Sequence, residues 1–241
     1  MDWRDKGILL NVRSHGENST IIQVLTAEHG RYTGVVRGGS SRKLTPALQP
    51  GAQLALNWRA RLEDHMGVFK VELIRSRTAM IMCDRQALEG LNTVTSMLLT
   101  FLPEREVYTV LFGATEFLLD LINDQIIWPS VYLKWELALL DVLGFGLDLV
   151  SCAVTGKKED LVYISPRTGR AVSREGAGEW ASRLFPLPSI LRGKQTVEYA
   201  LVKKGLDITG FFFKNHVVKG LGIKSLPPAR SRFVDRLSNL T

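Results

Sequence analysis

The strongest structural signal in this chain of 241 residues lies at residues 7–36, which read GILLNVRSHGENSTIIQVLTAEHGRYTGVV. Three runs rich in Ile, Leu and Val are separated there by polar turns that contain Gly. Two further runs follow, at residues 54–59 and 68–73, and apolar residues alternate with polar ones in both. Short β-rich runs at this spacing predict a small barrel or a sandwich.

The five predicted strands match the count of an oligonucleotide/oligosaccharide-binding (OB) barrel. An SH3-like barrel has a similar count, so the strand pattern leaves both open. From about residue 84 the apolar period becomes three or four, which indicates helices. We therefore expect an α+β chain with a barrel at residues 1–80 and a helical domain at residues 81–241. An irregular, glycine-rich insertion is expected in the helical domain at about residues 148–180.

The composition, 45% hydrophobic and 23% charged, is typical of a globular protein and excludes a disordered or collagen-like chain. The most apolar stretch, residues 107–127, contains three acidic residues, whereas a transmembrane helix needs about 20 nearly uncharged ones. Two cysteines cannot build a disulfide framework, and the first residues lack the apolar run of a signal peptide. We expect a cytoplasmic protein.

Catalytic motifs are absent from the sequence. The four histidines have no metal-ligand spacing, and there is no Gly-x-Ser-x-Gly elbow. The glycines at 38 and 39 are not followed by a P-loop Lys-Ser/Thr pair. We therefore expect no enzymatic activity and no metal site.

Charge is distributed unevenly, because residues 1–80 carry +5, residues 81–150 carry −7 and residues 151–241 carry +9. An acidic middle between basic ends predicts surfaces with different partners, although surface charge also serves solubility alone. In the barrel, the candidates for phosphate contact are Arg31, Arg37, Arg42, Lys43, Arg59 and Arg61. We expect a flexible Gly/Ser loop to leave several of these charges exposed, and guanidinium groups suit phosphate oxygens.

Three aromatic residues, Tyr32, Trp58 and Phe69, alternate with these charges. Basic residues with aromatic platforms are typical of sites for single-stranded nucleic acid. The alternative interpretation is that the three aromatics fill the barrel core.

The last third of the chain adds a second basic set. It comprises Lys203, Lys204, Lys214 and Lys219, with Arg230, Arg232 and Arg236 after two prolines. A second phosphate-facing surface is one interpretation, and a solvated helix face is the other.

Several short segments, taken in order, point to one family. They are GILL at 7–10, HGENST at 15–20, Gly30-Arg31, VRGGSSR at 36–42, LQP at 48–50, ALLDVLGF at 138–145 and CAVTG at 152–156. Through them the chain resembles the RecO family of bacterial recombination and repair mediators over essentially its full length.

The resemblance implies an OB barrel joined to a helical domain that carries a zinc-ribbon-like insertion. It implies binding of single- and double-stranded DNA, annealing of complementary strands and a place at the nucleoid. It also implies that the protein works with a partner, RecR, to help load the RecA recombinase onto strands covered by single-strand-binding protein (SSB). RecO-like proteins also contact the C-terminal tail of SSB. The DNA-phosphate contacts are then expected at Arg31, Arg37, Arg42 and Lys43, with Arg59 and Arg61 second.

The insertion departs from the family pattern. Zinc-containing members have two Cys-x-x-Cys pairs, whereas the positions here hold Cys152 with Thr155, and Ser173 with Gly176. One thiol cannot complete the four-ligand site of structural zinc, so we expect no zinc and no other cofactor. We expect the other cysteine, Cys83, to be a small buried residue near the junction of barrel and helices.

Two other functions fit the same residues. An RNA- or ribosome-associated OB protein would use the barrel charges equally well. A protein-binding adaptor would use the acidic segment at residues 81–150. A nuclease or ligase is the least favoured because candidate catalytic groups are missing.

Overall fold

The computed structural model describes residues 1–62, 65–193 and 198–238. The chain divides into two compact units, Met1–Gln125 and Ile126–Thr241. Within the described residues, no helix combines the length and the apolar character that crossing a membrane requires.

Five strands open the first unit and close into a barrel in the order β1–β2–β3–β5–β4. Their bounds are β1 Asp2–His15, β2 Ser19–Thr26, β3 Arg31–Arg37, β4 Gln53–Arg59 and β5 Val68–Arg75. The long β1 closes the barrel because it pairs with both β2 and β4. Only β3 and β5 run parallel among these pairs. This order is that of an OB barrel, which decides between the two barrel types.

The barrel core follows from the alternation of apolar and polar residues along the strands. In β4, Leu54, Leu56 and Trp58 are buried. Tyr32, Trp58 and Phe69 are only 7%, 1% and 2% exposed, and all three belong to the core cluster of the barrel. The core interpretation of these aromatics is therefore confirmed, and the platform interpretation is wrong for them.

Three helices follow the barrel in the first unit, α1 Thr78–Met82, α2 Arg85–Phe101 and α3 Thr109–Asp120. Asp84 caps α2, since its carboxylate accepts hydrogen bonds from the backbone N–H groups of Gln86 at 2.8 Å and Ala87 at 3.3 Å. The predicted boundary at residue 80 marks the change from strand to helix, whereas the compact unit continues to Gln125. The expectation for Cys83 is wrong, because this residue ends α1 at the surface and is exposed.

The second unit combines helices with the insertion. Its elements are α4 Trp128–Val142, β6 Leu161–Ile164, β7 Ala171–Ser173, α5 Arg174–Ala177, a 3-10 helix Gly178–Arg183, β8 Phe185–Pro186, a 3-10 helix Ser189–Arg192, α6 Tyr199–Phe212, a π-helix Phe213–Val217, α7 Val218–Gly220 and α8 Pro228–Ser238. Helix α4 has Pro129 in its first turn and ends just before Gly144, whose φ is +83°.

A buried ion pair lies in the core of the second unit. The Arg230 guanidinium of α8 contacts both carboxylate oxygens of Glu136 of α4, at 2.6 and 2.8 Å. Arg230 is 6% exposed and Glu136 is fully buried. The assignment of Arg230 to a basic surface is therefore wrong, because this guanidinium is enclosed by its partners.

Candidate nucleic-acid interface

One end of the barrel carries a cleft of about 970 Å³. Its position follows from strand register: Val68 pairs with Val35 of β3 and with Arg59 of β4. Arg37 lies two residues after Val35 and thus on the same side of β3. The register therefore brings Arg37 and Arg59 to one edge of the barrel, although 21 residues separate them in sequence.

The cleft is strongly basic. Its charged lining comprises Asp2, Arg37, Arg59, Arg61 and Lys70. In the parts of the chain that the structure describes, no carboxylate lies within 4.0 Å of the cationic groups of Arg37, Arg59, Arg61 or Lys70. All four cations are exposed. An open, unpaired set of this kind has the charge and geometry to receive the phosphates of a nucleic-acid backbone.

Gly67, which lines the cleft, lies directly against the barrel core. Gly67 has φ +70°, and a Cβ at this position would lie 2.3 Å from Nε1 of Trp58. The same indole N–H donates a 3.1 Å hydrogen bond to the carbonyl oxygen of Met66. The buried Trp58 thus fixes the backbone of Met66 and Gly67, two residues that line the cleft.

Arg31 lies elsewhere and is committed to other groups. Its Nε donates a hydrogen bond to the carbonyl oxygen of Leu102 at 2.9 Å, and Nη1 lies 3.4 Å from Glu104 Oε1. Its side chain is 13% exposed. Burial lowers the pKa of the Arg31 guanidinium, and the Glu104 carboxylate opposes that effect. The structure therefore gives Arg31 an anchoring position and does not bring it together with the cleft residues.

Arg42 and Lys43 are exposed on the connection between β3 and β4, and neither lines the cleft. This connection contains hydrogen-bonded turns. The backbone N–H of Thr45 bonds to the carbonyl of Ser41 at 3.0 Å, and that of Leu48 bonds to the carbonyl of Leu44 at 3.0 Å. Leu48 is buried in the barrel core. The loop therefore presents both cations from an ordered backbone.

The second basic set lies on one helical segment formed by α6, the π-helix and α7. Lys203 is half-buried and pairs with Asp207 at 2.8 Å, so its charge is already neutralised. Lys204, Lys214 and Lys219 are exposed, and Lys219 contacts Asn215 Oδ1 at 3.3 Å. Three of the four predicted lysines thus remain open to an anionic ligand.

Comparison with known proteins identifies the family. Two family models match, Recombination protein O N terminal over residues 1–77 and Recombination protein O C terminal over residues 83–227. The chain belongs to the RecO family. A DNA repair protein RecO of Roseobacter denitrificans is 56% identical over 238 residues, which are 99% of each chain. A DNA repair protein RecO of Ruegeria sp. is 52% identical over the same shares.

These RecO names describe DNA repair proteins and indicate no catalytic activity. The two family models meet between residues 77 and 83, where the barrel gives way to helices. The resemblance to RecO that the sequence carries is therefore confirmed.

The RecO zinc-ribbon positions form a different kind of cluster here. Cys152 is 1% exposed, and its Sγ accepts hydrogen bonds from the N–H and the hydroxyl of Ser173 at 3.2 and 3.3 Å. The N–H groups of Val154 and Thr155 add two more, at 3.4 Å each. Ser173 Oγ in turn accepts from the N–H of Gly176 at 3.1 Å.

This donor set does not fit zinc. The described residues contain no group of three or more His, Cys, Asp or Glu side chains that could hold a metal ion. Gly176 offers no side-chain ligand, and the Ser173 hydroxyl is engaged with the sulfur. Burial raises the pKa of the Cys152 thiol, but the hydrogen bonds from Ser173 and Thr155 outweigh it and lower the pKa to about 6.

Proposed function

We propose that this chain is a non-enzymatic mediator of DNA repair and homologous recombination that binds single- and double-stranded DNA at the basic cleft of its barrel. The observation that carries the proposal is the set of four exposed cations at that cleft, Arg37, Arg59, Arg61 and Lys70, none of which has an ion-pair partner among the described residues. Membership of the RecO family supports DNA over RNA as the nucleic acid. Phosphate contacts give affinity that is independent of sequence and falls steeply with salt.

In the full proposal, the protein anneals complementary strands and, together with RecR, helps to load RecA onto SSB-coated single-stranded DNA. Contact with the C-terminal tail of SSB brings it to such strands, and its contact with RecA is indirect. The exposed lysines Lys204, Lys214 and Lys219 and the loop cations Arg42 and Lys43 support annealing, because a second basic surface can neutralise a second strand. This work takes place in the cytoplasm, at the nucleoid. The ribbon performs its role without zinc or another cofactor.

The test of the cleft is the double variant Arg37→Gln/Arg59→Gln. We expect binding of a labelled oligonucleotide to weaken about tenfold at moderate salt, equally for unrelated sequences. The slope of log affinity against log salt should shrink by about 1 for each lost phosphate contact. Fluorescence anisotropy across a salt series measures both quantities.

The matched control is Arg13→Gln, which removes an exposed charge of the barrel that lies outside the cleft and has no ion pair within the described residues. Its affinity and slope should differ little from those of the wild type. Unchanged affinity and slope in the double variant would refute the cleft as the DNA site. Preference for RNA in competition would favour a ribosome-associated role, and negligible binding of either nucleic acid would favour an adaptor.

A further inference from the structure

One tryptophan of this protein lies where packing does not require it. Trp58, Trp128 and Trp135 are at most 2% exposed, and Trp3 is half-buried. Trp180, in the 3-10 helix of the insertion, is 61% exposed. An aromatic ring of this size exposed to water is a candidate contact for a ligand.

The core of the insertion is complete without Trp180. Its buried members are Cys152, Leu161, Ala171, Val172 and Ala177, with Ala181 and Leu184 packed against them. Ala177, three residues before Trp180, and Ala181, directly after it, both pack in the core of the insertion. The 3-10 helix that carries Trp180 has no fully buried residue. The indole is therefore directed to solvent by the local fold.

A guanidinium already stacks on this indole. Cζ of Arg183 lies 4.7 Å from the ring centroid of Trp180. The two residues are three apart, which places their side chains one above the other in a 3-10 helix. No carboxylate of the described chain lies within 4.0 Å of the Arg183 guanidinium. With Arg183 in place, ring surface still remains for a second planar group, because 61% of the residue stays exposed.

The rest of the insertion supplies further cations. Lys157, Arg170 and Arg174 are neutralised by Glu175, Asp148 and Asp160. In the insertion and the 3-10 helix that ends it, the exposed residues without an ion pair in the described chain are Lys158, Arg167 and Arg183, against Glu159 and Glu179 on the acidic side. The charge that remains unpaired in this segment is therefore positive, and it favours an anionic ligand.

We propose that Trp180 is a stacking platform for an unpaired base of single-stranded DNA, with Arg183 holding the indole from its other face and the free cations of the insertion meeting the phosphates. The inference rests on the proposed function, and it adds a contact that recognises bases to a cleft that recognises phosphates. Every base has a π-face, so a stacking contact keeps binding independent of sequence. A paired duplex hides its base faces and gains nothing from this platform.

The experiment compares three ligands of equal length, oligo-dT, an abasic oligonucleotide and a duplex. We expect oligo-dT to quench the tryptophan fluorescence of the wild type, whereas the abasic strand binds without this quenching. Trp180→Ala should abolish the quenching and weaken oligo-dT binding about tenfold, with duplex affinity unchanged. Trp180→Phe, which keeps an aromatic face, should retain most of the oligo-dT affinity, and Arg183→Gln should lie between.

Anisotropy of a label on each ligand separates the two hypotheses. Wild-type protein that binds none of the three ligands would overturn the proposed function and this inference together. Binding that persists while Trp180→Ala keeps wild-type quenching and oligo-dT affinity would overturn the platform alone. An equal loss of oligo-dT and duplex binding in Trp180→Ala would also overturn it, since stacking cannot act on a duplex. Because Trp180 lies outside the insertion core, its variants should fold as the wild type does.

Discussion

At the scale of single residues, arginine occupies two contrasting environments in this protein. Arg77 and Arg230 are buried and each guanidinium is met by a carboxylate and a backbone carbonyl oxygen. Arg37 and Arg59 are exposed, and neither forms an ion pair with any residue that the structure describes. A charge is buried only where partners replace its water. The buried arginines therefore anchor the fold, and the exposed arginines are the candidates for ligand contact.

This separation is not readable from sequence because the partners are distant along the chain. Arg31 finds its carbonyl at Leu102, 71 residues away, and Arg230 finds Glu136 94 residues away. The local sequence shows only that Arg31 follows a turn and that Arg230 follows two prolines. Both residues therefore look like surface cations until the fold supplies the contacts.

The buried pair of α4 and α8 leads to a prediction on stability. Arg230→Met leaves the Glu136 carboxylate buried without its guanidinium, and the hydroxyls of Tyr132 and Thr209 are the partners that the described residues still offer it. We expect a loss of about 3–5 kcal/mol in the free energy of unfolding, measured by urea denaturation. Arg232→Met, a neighbouring change at an exposed arginine, should cost less than about 0.5 kcal/mol.

The double variant Glu136→Met/Arg230→Met distinguishes a buried charge from lost packing. With both charges gone, much of the lost stability should return. A double variant that loses the sum of the two single effects would contradict the account.

At the scale of secondary structure, periodicity predicts the elements well and their pairing poorly. The alternation in β4 and the three- and four-residue steps of α2 and α4 are local properties, and both appear in the structure. The parallel β3–β5 pair joins Val35 to Val68, and no local pattern records it. The ordered connection that carries Arg42 is equally hidden, because its stability comes from Leu48 in the barrel core.

The ribbon cluster gives a pH prediction at this scale. The pKa of Cys152 is about 6 in the native protein against a usual value of 9.0. The native state therefore loses the thiol proton at lower pH than the unfolded chain does, so the contribution to stability grows as pH rises from 6 to 9 and is lost as pH falls through 6. The difference in melting temperature between wild type and Cys152→Ala should widen over this range.

The control for this experiment is Cys83→Ala, which removes an exposed thiol and should show no such widening. Metal analysis of the purified wild type belongs to the same experiment. Zinc near one equivalent would contradict the proposal of a metal-free ribbon, as would a constant difference between wild type and Cys152→Ala.

At the scale of the whole molecule, the net charge of a sequence segment does not predict the charge of the surface that the segment forms. Three of the ten acidic residues at 81–150 form ion pairs with cations of residues 1–80: Glu104 with Arg31, Glu116 with Lys6, and Asp120 with Arg75 and Arg77. The acidic face that an adaptor would need is reduced accordingly. Arg37, Arg59 and Arg61 on the barrel and Lys204 and Lys214 on the last third of the chain are exposed and have no ion-pair partner among the described residues.

The proposal of a second basic surface is tested by annealing of two strands rather than by binding of one strand. Lys204→Gln/Lys214→Gln/Lys219→Gln should leave binding of one strand by the barrel cleft almost intact, because the cleft is unchanged. The rate of annealing of two complementary oligonucleotides should fall several-fold, since the second strand is no longer neutralised, and added salt should slow the wild type toward the variant. Fluorescence-monitored annealing, with bare and SSB-coated strands, measures this rate. Arg37→Gln/Arg59→Gln should weaken both binding and annealing. Equal annealing by the lysine variant and the wild type at low salt would rule out these lysines as the second strand-binding surface.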